Sequence, residues 1–147
     1  MAVLIGIDQL TKHLAVIGLK TIDELPVLGE ILVLKYCENT GAAFSMFQGN
    51  EFILIGITSL CLIVGLVVIL SGKIKNNLLL YTVATVVAGG LGNLIDRIFL
   101  GYVVDFIYIK IIDFAIFNFA DICVTLGGIT MIACVVFSEK DKSDAKN

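Results

Sequence analysis

The sequence predicts a mainly α integral membrane protein: a bundle of four transmembrane helices carrying a small β-sheet and a short amphipathic segment on the outer membrane face. Three observations carry that expectation. Of 147 residues, 59% are hydrophobic and only 16% charged, and the mean hydropathy is +1.02, whereas a water-soluble domain of this length carries far more charge. Four stretches approach the roughly 20 apolar residues that a helix needs to cross a hydrocarbon core of about 30 Å. Most of the charges lie between or beyond those stretches.

The first stretch, about 1–19, is aliphatic but interrupted by Asp8, Gln9, Lys12 and His13. It lacks the basic start and small-residue cleavage site of a removable leader and is read as a span. The second, about 52–71, contains no charge, and the third, about 78–95, stays apolar until Asn93, Asp96 and Arg97. The fourth, about 120–137, has one charge, Asp121, near its start. Lys73 and Lys75 lie in the loop between spans two and three, and Lys140, Lys142 and Lys146 in the tail, so the positive-inside rule puts both regions, and both termini, in the cytoplasm. The segments about 20–51 and 97–119 are then outside. Val27 to Tyr36 is rich in β-branched and aliphatic residues and reads as a strand, with a turn at Asn39-Thr40-Gly41. Residues 97–119 mix Phe, Tyr and Ile with Asp105, Lys110 and Asp113, which suggests an interfacial strand and a short amphipathic helix. Neither segment is long enough for a separate soluble domain, so residues 1–147 are expected to form one membrane domain.

Several function classes drop out. The net charge is −3, with only a weak basic stretch at the C-terminus, so nothing resembles a nucleic-acid surface. Cys37, Cys61, Cys123 and Cys134 form no Cys-x-x-Cys pair, and three lie in apolar runs where a thiol behaves as a small hydrophobe. His13 is the only histidine; it supports no Ser-His or Cys-His mechanism and is expected to make a polar contact inside the bundle.

Ionisable side chains within spans are costly, by roughly 2.5–3.5 kcal/mol on insertion scales, and ask for a compensating role. Asp96 ends an outward-running span and Asp121 begins the returning one, so both fall at the outer end of the membrane although they are 25 residues apart. Each follows an asparagine by three positions, in Asn93-Leu94-Ile95-Asp96 and Asn118-Phe119-Ala120-Asp121, and that spacing shares a helix face. Two neighbouring carboxylates that share one proton split into an acid and a base. An aspartyl protease uses such a pair on water; two interfacial aspartates that cap helices or meet Arg97 are the plainer reading. Ala88-Gly89-Gly90-Leu91-Gly92 fits small-residue helix packing and does not match a dinucleotide or P-loop fingerprint. Intramembrane acids also mark proton-coupled transporters, but these place carboxylates near the midplane with little outside.

Five blocks in order resemble bacterial lipoprotein signal peptidase, also called signal peptidase II, over nearly the whole chain. They are Asp8-Gln9-Leu10-Thr11-Lys12, Asn39-Thr40-Gly41-Ala42-Ala43-Phe44-Ser45, Gly89-Gly90-Leu91-Gly92-Asn93-Leu94-Ile95-Asp96-Arg97, Val103-Val104-Asp105-Phe106 and Phe117-Asn118-Phe119-Ala120-Asp121. The resemblance implies an aspartic-type endopeptidase of the bacterial cell membrane, active at the outer face. It would cleave a prolipoprotein on the N-terminal side of its diacylglyceryl-cysteine. It implies Asp96 and Asp121 as the catalytic pair, Asn93 and Asn118 as its supports, and Asn39, Gly41, Gly92, Arg97 and Asp105 as supporting or substrate-binding positions. Asp8, Gln9 and Lys12 are read as mainly structural. No metal and no organic cofactor is implied; the partners are the lipid-modified substrate and membrane lipid, and the chain is expected to act as a monomer.

In that family the Asp-Gln-x-x-Lys block lies toward the outer end of the first helix. Here seven residues precede Asp8, roughly 10 Å of helix. Either Asp8 sits deeper, or the bilayer thins around a short span, or, as expected here, a further ~6–12 apolar residues precede Met1 in the native protein.

Overall fold

A computed structural model describes the backbone of residues 1–41 and 51–144 and the side chains of 1–41 and 52–137. Ala42 to Ser45 of the second block and the charged side chains of the tail lie outside the described residues. Among the described residues, four helices are long and apolar enough to cross a membrane: α1 (Ala2–Leu19), α2 (Glu51–Leu70), α3 (Asn77–Leu100) and α4 (Phe119–Asp144). Between them lie β1 (Leu25–Leu28), β2 (Leu32–Asn39) and β3 (Val103–Ile109), joined in one antiparallel sheet of order β1-β2-β3.

Both α3 and α4 run further than their apolar cores. Asn76 caps α3, its side chain accepting from the Leu79 N–H, and the helix continues past Asp96 and Arg97 until Gly101 ends it at φ 81°, a left-handed backbone that suits glycine. The strand expected over Val27 to Tyr36 is instead a hairpin. Gly29, at φ 53°, turns the chain so that Leu25 pairs with Leu34. The expected amphipathic helix after β3 shrinks to a 3-10 turn, Lys110–Ile112, stopped by Asp113 at φ 48°. His13 does not enter the bundle; it is exposed on α1.

The sheet sits at the end of the bundle where α1 and α3 finish. Val104 and Phe106 of β3 pack with Ala15 and Leu19 of α1. Strand residues alternate between faces, so Asp105 is turned to the opposite side, and it is buried as well.

Three glycines of α3 meet three different neighbours. A Cβ at Gly89 would lie 2.5 Å from the Ala120 carbonyl oxygen of α4, one at Gly90 would lie 2.8 Å from Leu62 of α2, and one at Gly92 would run into the Asp8 carboxylate of α1. Gly92 is thus a packing position beneath the site and is not on the wall of the cavity described below. Gly92→Ala is expected to cost about 1–3 kcal/mol through overpacking, read as a lower melting temperature in detergent; an unchanged melt would contradict the close approach of α1 to α3.

Candidate active site

The site begins at the first turn of α4, whose N–H groups lack partners within the helix. Asn118 and Asp121 cap it reciprocally: the Asp121 N–H donates to Asn118 Oδ1 at 2.9 Å, and the Asn118 N–H donates to Asp121 Oδ2 at 3.0 Å. This is the capping-box arrangement with aspartate in the third helical position. The Ala120 N–H is taken by Asp8 Oδ1 of α1 at 2.9 Å. One helix end therefore holds Asp121 at a fixed rotamer and ties α1 to α4.

Two further asparagines complete the frame. Asn93 Nδ2 of α3 donates to Asp121 Oδ1 at 2.8 Å. Asn118 Nδ2 donates to Asp105 Oδ1 at 2.6 Å and to Asn93 Oδ1 at 3.0 Å. Asn39 Nδ2, at the end of β2, donates to Asp105 Oδ2 at 2.8 Å. Asn118 thus binds both carboxylates, Asp105 through its side chain and Asp121 through its backbone. All four carboxylate oxygens of the two aspartates accept a bond from an N–H. Burial, and after it the charge of Asp121, pushes the Asp105 carboxyl up to about 6, against the hydrogen bonds from Asn39 and Asn118 and the charge of Lys12.

Asp96 is elsewhere. Its Oδ2 lies 3.0 Å from Lys12 Nζ and accepts from the Val104 N–H at 3.1 Å, and its Oδ1 accepts from Gln9 Nε2 at 3.0 Å. With 3% of its side chain exposed, it is enclosed between α1, α3 and β3. The expected face-to-face pair of Asp96 and Asp121 is therefore corrected: Asp96 turns toward the cation of α1, and the carboxylate that shares a partner with Asp121 is Asp105. The doubled Asn-x-x-Asp pattern misled because only the second copy is a helix cap. In the first, Asn93 turns to Asp121 while Asp96 turns to Lys12. The signal for Asp105 was present in Val103-Val104-Asp105-Phe106, a lone acid in an apolar strand whose alternation places it opposite Val104 and Phe106.

A cavity of about 550 Å³ borders this frame, lined by Asn39, Asn93, Arg97, Asp105 and Asp121 and by apolar side chains including Val103, Phe114, Phe117 and Ile122. It continues along α4 past Val124, Thr125 and Leu126. Asp96 is not on its wall. Arg97 lines it with a guanidinium that donates to the Gly41 carbonyl at 2.9 Å, while the Gly41 N–H donates to Asn39 Oδ1 at 2.9 Å. Those two bonds hold the end of β2 over α3.

Residues 1–137 match the family model described as signal peptidase (SPase) II. The chain is similar to the lipoprotein signal peptidase of Clostridium acetobutylicum, 39% identical over 149 residues that cover 99% of this chain and 96% of that protein. It is likewise similar to that of Caldanaerobacter subterraneus subsp. tengcongensis, 43% identical over 140 residues that cover 93% of each. A solved structure described as a bacterial membrane enzyme, determined by the in meso method at 2.3 Å resolution, superposes with a TM-score of 0.89 at 31% identity, covering 96% of this chain and 87% of that one. Another, at 1.9 Å resolution, gives 0.82 at 32% identity, covering 91% and 88%.

Proposed function

The chain belongs to the signal peptidase II family, and on that premise we propose that it removes signal peptides from lipid-modified prolipoproteins, with Asp105 and Asp121 as its catalytic pair. One observation supports this pair above any other: these two carboxylates share Asn118 and both face a cavity that runs along α4.

Two adjacent carboxylates sharing one proton form an acid and a base. The ionised partner takes a proton from water as it attacks the scissile carbonyl, and the protonated partner donates to the carbonyl oxygen. Collapse of the tetrahedral intermediate returns a proton to the leaving amine of the diacylglyceryl-cysteine and releases the signal peptide with a new carboxylate. Asn39, Asn93 and Asn118 donate to the carboxylates throughout and hold their rotamers, which keeps the pair aligned on one water. The apolar wall along α4 suits the signal helix, which would enter sideways from the bilayer. The two lysines of the α2–α3 loop favour the cytoplasm, which leaves the sheet and the pair at the outer face, with both termini inside.

The test is purified protein in detergent with a diacylglyceryl-modified prolipoprotein. Processing is expected to proceed at an unchanged rate in a chelator and to ignore serine- and thiol-directed reagents, while the unmodified precursor stays intact. Activity lost on chelation and restored by zinc would contradict the carboxylate pair.

A further inference from the structure

Beneath the pair lies a cluster that the reaction above does not use. Lys12 Nζ, 3% exposed, lies 2.9 Å from Asp8 Oδ2, 3.0 Å from Asp96 Oδ2 and 2.8 Å from Asn93 Oδ1. Its three protons therefore have three acceptors. Two are carboxylates that would anchor a lysine wherever they stood. The third is different, because an asparagine amide can be seated either way round. With Oδ1 held by Lys12 and by Asn118 Nδ2, the Asn93 amide must present Nδ2 to Asp121. Turned over, it would set an oxygen against the Asp121 carboxylate and an NH₂ against an ammonium.

We infer that Lys12 is a positioning residue of the catalytic pair, fixing through Asn93 which end of an amide meets Asp121 and supplying the positive charge behind the pair. The inference rests on the peptidase reading above. The ammonium stands one amide group away from Asp121, and its charge also favours the ionised form of Asp105. The other charged groups around it are Asp8 on its own helix, Asp96 on α3, Asp105 on β3, Asp121 on α4, and Arg97, which faces the cavity. Lys12 is the cation among them that touches both the buried acids and the amide frame. Removing it disfavours every anionic state of the pair, so both limbs of a pH–rate profile move to higher pH, by about one unit for one charge at this range.

The experiment compares wild type, Lys12→Met, Asn93→Ala and the double variant, measuring kcat, KM and pH profile on a diacylglyceryl prolipoprotein, with the melting temperature of each. Lys12→Met is expected to lower kcat at least about tenfold, as loss of an aligned acid–base partner does, with KM nearly unchanged and both limbs raised. In the Asn93→Ala background, Lys12→Met is expected to cost less than it costs in wild type, since the part of its effect that runs through Asn93 is already gone and only that of its charge remains. Losses that multiply in full, or limbs that do not move, would overturn the inference and leave Lys12 a packing residue. If Lys12→Met does not fold, Lys12→Met with Asp96→Asn removes one charge of each sign. The same comparisons are then made against Asp96→Asn. Failure of the peptidase reading would look different: the wild type itself would leave the prolipoprotein uncut.

Discussion

Asp105→Asn and Asp121→Asn are each expected to lower kcat by about a thousandfold or more, within the range that loss of a positioned acid or base produces, while Asp96→Asn keeps kcat within about tenfold. The contrast follows from where the three carboxylates stand. Asp105 and Asp121 line the cavity and share Asn118; Asp96 is sealed against Lys12, Gln9 and the Val104 N–H. What Asp96→Asn loses is stability. Lys12 keeps Asp8 but gives up one of two buried anions, and breaking a buried pair costs roughly 3–5 kcal/mol. The measurement is therefore made below the melting temperature of each variant, with folding checked by thermal melt. An Asp96→Asn protein that is folded yet dead, beside an Asp105→Asn protein that still cuts, would restore Asp96 to the pair and remove Asp105 from it.

That correction shows what a linear pattern carries and what it does not. Length and hydropathy locate spans because lipid demands them of each helix separately, so the four apolar runs were legible, and α1 begins and ends within a residue of its expected limits. The end of α3 depends on a cap, and Gly101 carries that information only once the chain beyond it is known to turn. Asp121 was legible because its asparagine partner lies three residues away on the same turn. Asp105 depends on Asn39, 66 residues distant, and on Asn118, 13 residues distant, and no local period links strand to helix cap. The family resemblance supplied the right blocks, but assigning a role within a block needs the side-chain directions. Lys12 illustrates the same limit: its partner Asp8 lies four residues away on the same helix, whereas its contacts to Asn93 and Asp96, 81 and 84 residues away, arise only when α1 packs on α3.

The position of Asp105 also predicts how stability responds to pH without any assay of cleavage. Its carboxyl is raised from an ordinary value of 3.8 to about 6, so the folded chain holds that proton more tightly than the unfolded chain does. Between those two values the unfolded state releases its proton first. The contribution of Asp105 to stability is therefore fully present below pH 3.8, declines as pH rises toward 6, and stays lost above it. Asparagine cannot ionise, so Asp105→Asn removes the decline. It also places an NH₂ where an oxygen accepted from Asn39 or Asn118, at a cost of about 1 kcal/mol that does not vary with pH. Measured as the melting temperature of the variant minus that of wild type, the difference is expected to be near zero or negative at pH 4. It should become positive by pH 7.5, a swing of up to about 3 kcal/mol for two pH units of raised affinity, or several degrees for a chain of this size. A difference that is flat across this range, or that falls as pH rises, would show that Asp105 ionises as freely folded as unfolded, and with that the proposed sharing of a proton between Asp105 and Asp121 would lose its physical basis.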